Sequence, residues 1–499
     1  MSVADSIPSL TSGRRLAKST IWNLLGQLLP MPVGLIAVPL LIRALGIDRF
    51  GLLSLAWVIV GYFSLFDLGL GRALTKLVAD KLGARDEDSI APLIWTSLGL
   101  MLLLGLVGGA ISLELSPWLV YSALNVPAAI QPEALRSFQL LAISIPIVTL
   151  TSGLRGILEA LQRFRILSII RVPSSIFSFA GPLLVLPFSH SLVPVVFLLV
   201  VGRLLGALAH FLACVRAIPA LRHSPQLQGK VVRPLLRFGG WMTMSNVISP
   251  LMVYADRFMI GAVLTVSAVA YYTTPFDLVF RLAFIPTGVA GVLFPAFATS
   301  LADNPERTAL LVSRGVKYIF LAMAPIILVT VAFAPEGLAL WLGPSFAAQS
   351  APVLRWLAAG VLLNAVACVP FALIQSAGRP SLTAKLHILE LPVYLPLVWF
   401  LARWKGIEGV AMAWTARVLL DTVLLFFFAR KVAPPAPRFM VRLTAAMAAG
   451  LLMCYAVTFP AALLGKTIFC VVILLAFLLA AFVGMAPDER RLLQKLRGV

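Results

Sequence analysis

The sequence predicts an all-α, polytopic membrane protein of about 14 transmembrane helices, and three observations lead there. Of its 499 residues 60% are hydrophobic and only 12% charged, with a mean hydropathy of +0.99; a soluble domain carries about 25% charged residues. The apolar residues come in blocks of about 20, the length that spans a hydrocarbon core as a helix. The cations fall mainly in short links between those blocks, on alternate sides. Lipid offers backbone groups no hydrogen-bond partner, so the blocks must be helical.

The blocks lie near 20–42, 50–71, 91–113, 137–158, 166–188, 192–215, 238–261, 273–298, 315–334, 352–376, 382–402, 407–429, 440–460 and 464–485. With the N-terminus in the cytoplasm, 29 of the 40 cations fall on the inner side and six in outer links: Arg43, Arg49, Arg136, Arg403, Lys405 and Lys466. Loss of one span would invert every later loop, so this asymmetry supports fourteen spans with both termini cytoplasmic. The first 19 residues are polar, with Arg14, Arg15 and Lys18 directly before the first block, so no cleavable signal peptide is expected.

The link after the first block and the link after the seventh share a Pro-bearing approach, an Asp-Arg pair and a glycine turn. The offset divides the first twelve spans into two six-helix halves, as in transporters built from repeats. The expected organisation is a cytoplasmic segment (1–19), an N-terminal six-helix bundle (20–216), a cytoplasmic linker (217–237), a C-terminal six-helix bundle (238–430), a helix pair (438–485) and a cytoplasmic tail (486–499).

Composition and motif exclude several functions. The net charge of +20 resides in topogenic links, so nucleic acid is not expected as a partner. Cys214, Cys368, Cys454 and Cys470 lie in or beside apolar blocks with no CxxC or Cys/His spacing, which supports neither a metal site nor a disulfide framework. His190, His210, His223 and His387 have no metal-ligand neighbours and receive no role. No GxxxxGK[ST] loop occurs, and no link exceeds about 25 residues. No cofactor and no catalytic residue are expected, so the chain is not read as an enzyme.

Charges inside spans are the functional candidates. Arg203, Arg257, Arg281, Arg355 and Arg417 fall within blocks. Each would cost roughly 2.5–3.5 kcal/mol facing lipid at the bilayer centre. Together that is on the order of 12–18 kcal/mol, more than most folds can lose. They must face the bundle interior or reach an interface. Internal pairing is one solution: Asp277 with Arg281, Arg417 with Asp421 and Arg155 with Glu159 each lie four residues apart, on one helix face. Arg355 opens a span and can snorkel outward. Arg257 adjoins Asp256, but neighbours on a helix diverge by about 100° and do not pair cleanly. Arg203 has no acid within eight residues and sits between Gly202 and Gly206, a spacing for close helix packing. Its partner is either a carboxylate of another span or an anionic substrate. The acids within spans, Asp67, Asp256, Asp277, Glu390 and Asp421, are candidate ion-coupling sites or counter-ions. Prolines within the first, seventh, eighth and eleventh spans fit either broken helices lining a cavity or static kinks.

Asn23 and Gly26, Pro39, Leu45-Gly46, Phe50-Gly51 and Asp67-Leu68-Gly69 make residues 19–80 resemble the opening of the bacterial polysaccharide transporter family. Asp256-Arg257, Tyr271-Tyr272 and Phe294-Pro295 are similar to its second half. These are O-antigen, capsule and exopolysaccharide flippases of the multidrug/oligosaccharidyl-lipid/polysaccharide exporter superfamily. The resemblance implies two bundles in a V around a central cavity, in the bacterial inner membrane, working by alternating access. It implies a polyprenyl-pyrophosphate-linked oligosaccharide as substrate, with a polymerase and glycosyltransferases of the same pathway as partners. Arginines suit that headgroup, because arginine keeps its charge and binds phosphate oxygens in pairs; Arg203, Arg257, Arg281 and Arg417 are the candidate cationic cavity. The first span carries no interior charge, unlike the lipid II flippases of the superfamily, which argues against a peptidoglycan precursor. Two alternatives are a multidrug/cation antiporter, whose cavity would favour carboxylates, and a polytopic glycosyltransferase or ligase. The latter would need catalytic groups in an outer loop, and the longest outer link, 114–136, holds only Glu114, Glu133 and Arg136.

Reporters fused after Lys81, Arg222 and Arg438 are expected on the cytoplasmic side, and those after Asn125 and Gly343 outside. Two or more reversed locations would contradict the fourteen-span topology.

Overall fold

The structure is a computed structural model. It describes residues 29–63, 69–84, 86, 88–222, 228–230, 232, 233, 235, 252, 254–433, 437–458 and 462–483. Among them there is helix and no strand, as a hydrocarbon solvent requires. Among the described residues nine helical stretches are long and apolar enough to cross a membrane, and Pro30–Leu45 and Leu443–Ala456 are shorter apolar helices. The seventh expected span, 238–261, lies largely outside the described residues, so the count of fourteen stands as a proposal. By contacts the chain divides into two compact units, Met1–Ala270 and Tyr271–Val499.

In the first unit α1 (Pro30–Leu45), α2 (Ile47–Phe63), α3 (Leu70–Gly83), α4 (Ile90–Trp118), α5 (Gln131–Ile143), α6 (Ile145–Ala160), α7 (Phe164–Val185) and α8 (Leu192–Ala217) follow in order. Residues 254–263 are also helical. Helix α3, which the sequence reading left in a link, is amphipathic. It buries Leu70, Ala73, Leu74, Val78 and Leu82 and exposes Arg72, Lys76 and Asp80, the pattern of a helix lying in the interface. Beyond it Lys81 bonds Asp86 at 2.6 Å, which holds the exposed Asp86 carboxyl below its ordinary range. The expected single span 137–158 is instead two helices meeting at Ser144. Pro146 has no N–H to continue the ladder there, and the Ser144 amide and hydroxyl both bond Leu141 O.

Small residues set the close approaches. Gly105 and Gly109 of α4 face Pro146 and Ala142, and Gly202 and Gly206 of α8 face Phe177 and Ser174 of α7, as the spacing around Arg203 predicts. Large apolar side chains face outward in numbers, among them Leu103, Leu106 and Ile111 of α4; their environment is lipid. In the link after α4, the Asn125 amide donates to the Ala262 and Leu264 carbonyls at 2.9 and 2.8 Å.

The second unit contains α9 (Val266–Phe280, shared with the first), α10 (Phe284–Asp303), α11 (Pro305–Ala332), α12 (Ala334–Leu342), α13 (Pro344–Ser376), α14 (Pro380–Ala429), α15 (Pro437–Ala456) and α16 (Leu463–Val483). The expected span 273–298 is interrupted by a tightened turn, Arg281–Ala283. Pro286 removes the hydrogen bond that would have continued the α-helix there. Helix α14 is two arms. Glu390 and Arg417 would lie about 40 Å apart on a straight helix, yet they are 3.5 Å apart. The chain folds back at Gly406, whose φ of 62° and ψ of −141° no helix contains. Both ends of the hairpin carry an interfacial belt. Arg403 stacks on Trp399 and Lys405 on Trp404 at the turn, and Arg430 and Lys431 on Phe427 at the far end. Helix α13 packs along the hairpin and is the most buried span.

A Cβ at Gly51 would overlap the Val266 carbonyl, whereas Gly288 has open space around it. Gly51→Ala is expected to lower stability by about 1–3 kcal/mol in detergent melts, and Gly288→Ala to leave it near wild type.

Candidate functional site

The second unit gathers the densest set of buried charges, where the two arms of α14 face each other. His387, Glu390 and Tyr394 lie at i, i+3 and i+7 on the first arm, which places them on one face. Arg417 and Asp421 lie one turn apart on the second. Arg417 Nη1 is 3.5 Å from Glu390 Oε2, with Glu390 only 2% exposed, and its guanidinium lies 5.5 Å from the centre of the Tyr394 ring. Asp421 Oδ1 is 3.8 Å from His387 Nε2. Arg417 thus pairs across the hairpin and not, as its spacing allowed, with Asp421 on its own helix; Asp421 turns instead to the opposite arm's histidine. Among the described residues neither oxygen of Glu390, nor Asp421 Oδ1, nor Arg417 Nε has a hydrogen-bond partner, although all are buried. Such groups are costly unless something else neutralises them. From α13, Cys368 is the titratable side chain that interacts with Asp421.

The other predicted residues distribute as follows. Arg203, half-buried in α8, donates from Nη1 to Ser144 Oγ at 3.3 Å, a hydroxyl at the break between α5 and α6. Among the described residues no carboxylate pairs with it. Asp256 is fully buried, and its Oδ1 accepts the Arg257 amide at 2.7 Å; the Arg257 side chain, 4% exposed, lies over Tyr254 at 5.1 Å. Asp277 is exposed on α9 and Arg281 half-buried in the turn after it. Asp67 lies outside the described residues. Arg203 and Arg257 belong to the first unit, Arg281 and Arg417 to the second. Arg155 and Glu159 form the expected pair at 3.4 Å, and Arg355 reaches the Val331 carbonyl near the end of α11 at 3.4 Å.

Sequence reasoning missed His387, Tyr394 and Cys368. A signal existed for the first two, since they share Glu390's helical face. Also unforeseen is an apolar groove of about 660 Å³ between α11, α15 and α16, lined by Phe320, Ala324, Leu328, Met453, Ile473 and Phe477 among others, in which Lys317 is the single charged side chain. The nearly buried Lys466 of α16 bonds Glu336 of α12 at 2.6 Å, which fixes the helix pair to the rest of the unit.

Residues 16–301 match the family described as "Polysaccharide biosynthesis protein". The chain belongs to this family. It is 30% identical over 413 residues to the Shigella flexneri protein named "Putative O-antigen transporter", covering 82% of this chain and 96% of that one. It is 20% identical to the lipopolysaccharide biosynthesis protein WzxC of Escherichia coli (strain K12), covering 81% and 79%. Among solved structures it is similar to the lipid II flippase MurJ in an inward closed conformation, with a TM-score of 0.70 at 14% identity and coverage of 93% and 98%. At such identity the likeness concerns the fold alone. That fold is the all-helical multi-pass architecture of membrane transporters, and the chain is a multi-pass membrane protein of polysaccharide biosynthesis.

Two substitutions separate the arginines. Arg417→Ala strands Glu390 as an unpaired buried charge and is expected to cost about 3–5 kcal/mol, read as loss of folded protein from the membrane. Arg203→Ala loses one hydrogen bond to a hydroxyl, about 1 kcal/mol. It is expected to keep its membrane level while surface polysaccharide falls.

Proposed function

We propose that the protein is a flippase that moves a polyprenyl-pyrophosphate-linked oligosaccharide, an O-antigen, capsule or exopolysaccharide unit, across the bacterial inner membrane by alternating access, with both termini cytoplasmic. The observation that carries this reading is the match along 96% of the length of the Shigella O-antigen transporter homologue. The chemistry agrees with it. A substrate with an anionic headgroup and a long isoprenoid tail needs cations within the membrane and an apolar path. Arg203 provides a cation held by a hydroxyl alone, and the groove between α11, α15 and α16 is apolar except at Lys317.

The enzyme alternative loses its best acid. Glu133, in the longest outer link of the sequence reading, accepts a bifurcated hydrogen bond from Arg49 Nε at 3.0 and 3.1 Å and a second from the Leu192 amide. It staples α2, α5 and α8, a structural role. A drug antiporter would favour carboxylates around its cavity, and the two buried acids of the α14 hairpin, Glu390 and Asp421, each face a basic side chain.

Deleting the gene is expected to trap lipid-linked sugar on the cytoplasmic leaflet and to remove a surface polysaccharide. Complementation with Ala449→Phe, which fills the groove, should restore far less polysaccharide than wild type at equal membrane level. Full restoration would remove the groove from the pathway, and unchanged surface polysaccharide in the deletion strain would overturn the flippase reading.

A further inference from the structure

The buried cluster in the α14 hairpin does not balance. Glu390 and Asp421 bring two negative charges, Arg417 one positive, and His387 none when neutral. The cluster therefore holds one more anion than fixed cation, within a unit whose surroundings are hydrocarbon and apolar side chains. Four of its buried polar atoms have no hydrogen-bond partner: both Glu390 oxygens, Asp421 Oδ1 and Arg417 Nε. A single added positive charge would neutralise the site and give these oxygens a bond. Among the described residues the titratable and charged groups around it are His387, Glu390 and Tyr394 from the first arm, Arg417 and Asp421 from the second, and Cys368 from α13.

The geometry also selects the ion. Sodium would need several oxygen ligands closed around it. Among the described residues no group of three or more His, Cys, Asp or Glu is placed to hold a metal, and Glu390 already has the Arg417 guanidinium at 3.5 Å as its cation. A proton needs only one lone pair and can be shared between neighbouring carboxylates. Exposure within the cluster is graded. The His387 side chain is 20% exposed, Asp421 10% and Glu390 2%. Below His387 on the same arm, buried Thr383 is bonded by Gln375 of α13 at 2.9 Å. The arm begins beside Arg379 and Lys385, which the charge distribution places on the cytoplasmic side. A graded series from a half-exposed imidazole to a buried carboxylate is the arrangement of a proton relay.

We propose that Glu390 and Asp421 are the site at which this protein binds one proton per transport cycle, with His387 as the port through which that proton exchanges with the cytoplasm. No bond other than O–H or N–H is made or broken: the proton passes between His387 Nε2, Asp421 and Glu390. The inference rests on the flippase reading: the sequence has no GxxxxGK[ST] loop, and an ion gradient is a source of directionality that needs none. Arg417 is then the counter-ion that keeps one carboxylate charged while the other takes the proton.

The test is infrared difference spectroscopy on the full chain reconstituted in phospholipid vesicles, titrated from alkaline to acid pH in sodium-free buffer. Wild type is expected to gain one protonated-carboxyl band that Glu390→Gln and Asp421→Asn each abolish, and Glu390→Asp should shift its midpoint. His387→Gln should keep the band and slow its formation after a pH jump, with surface polysaccharide reduced in cells at unchanged membrane level. If Glu390→Gln does not accumulate, the midpoint shift in Glu390→Asp decides. A band that ignores the substitutions at Glu390 and Asp421 would overturn the assignment, as would sodium moving the wild-type midpoint. Formation of the band at the wild-type rate in His387→Gln would remove the port. The spectra require no lipid-linked sugar, so a band that behaves as expected in a protein that moves no such lipid would refute the flippase reading and leave the proton site standing.

Discussion

Hydrocarbon offers a polar group nothing to bond, and the other features of this molecule follow from that constraint. The backbone answers it with helices and, among the described residues, no strand. Side chains answer it locally: Ser54, Thr96, Ser97 and Thr422 each return their hydroxyl to the carbonyl one turn earlier. Charged groups cannot be satisfied by their own helix in this way. They must be brought together across helices, and the places where that happens mark where the fold spends stability on something other than itself.

Three such places differ in kind. In the first unit Arg49, Glu133 and the Leu192 amide bond one another across three helices, which makes a staple. At Lys466 and Glu336 a close pair fixes the C-terminal helices beside an apolar groove. In the α14 hairpin the pairing is incomplete: contacts of 3.5 and 3.8 Å leave carboxylate oxygens without hydrogen bonds. The Lys466–Glu336 pair, at 2.6 Å, is closed. One that stays open within the bundle suits a site whose charge changes during function, and Arg203, held by a single hydroxyl, suits a transient anion.

Much of this was legible in the sequence. Apolar block length gives the helices. The Gly202/Gly206 spacing gives a packing face that Phe177 and Ser174 occupy. What sequence could not give was pairing between helices, because spacing along one helix cannot show that a neighbouring helix offers a better partner. Arg417 has Asp421 one turn away, yet the reversal at Gly406 brings Glu390 to it from 27 positions upstream in the chain. His387 looked idle for the same reason: its partner, Asp421, arrives only when the hairpin closes. The breaks at Ser144 and Arg281–Ala283 were foreshadowed by Pro146 and Pro286, but a proline marks a defect without saying whether the helix kinks or restarts.

The central claim is that the bundle moves an anionic lipid-linked sugar without altering it. The most direct measurement uses purified protein in vesicles loaded on the inner leaflet with a polyprenyl-pyrophosphate-linked oligosaccharide, followed by a membrane-impermeant sugar oxidant outside. Protein-dependent exposure of intact sugar to the oxidant, at a rate that depends on an imposed pH gradient and not on added nucleotide, is the predicted result. Sugar that stays protected under every gradient, or that is released from or extended on its lipid, would contradict the account.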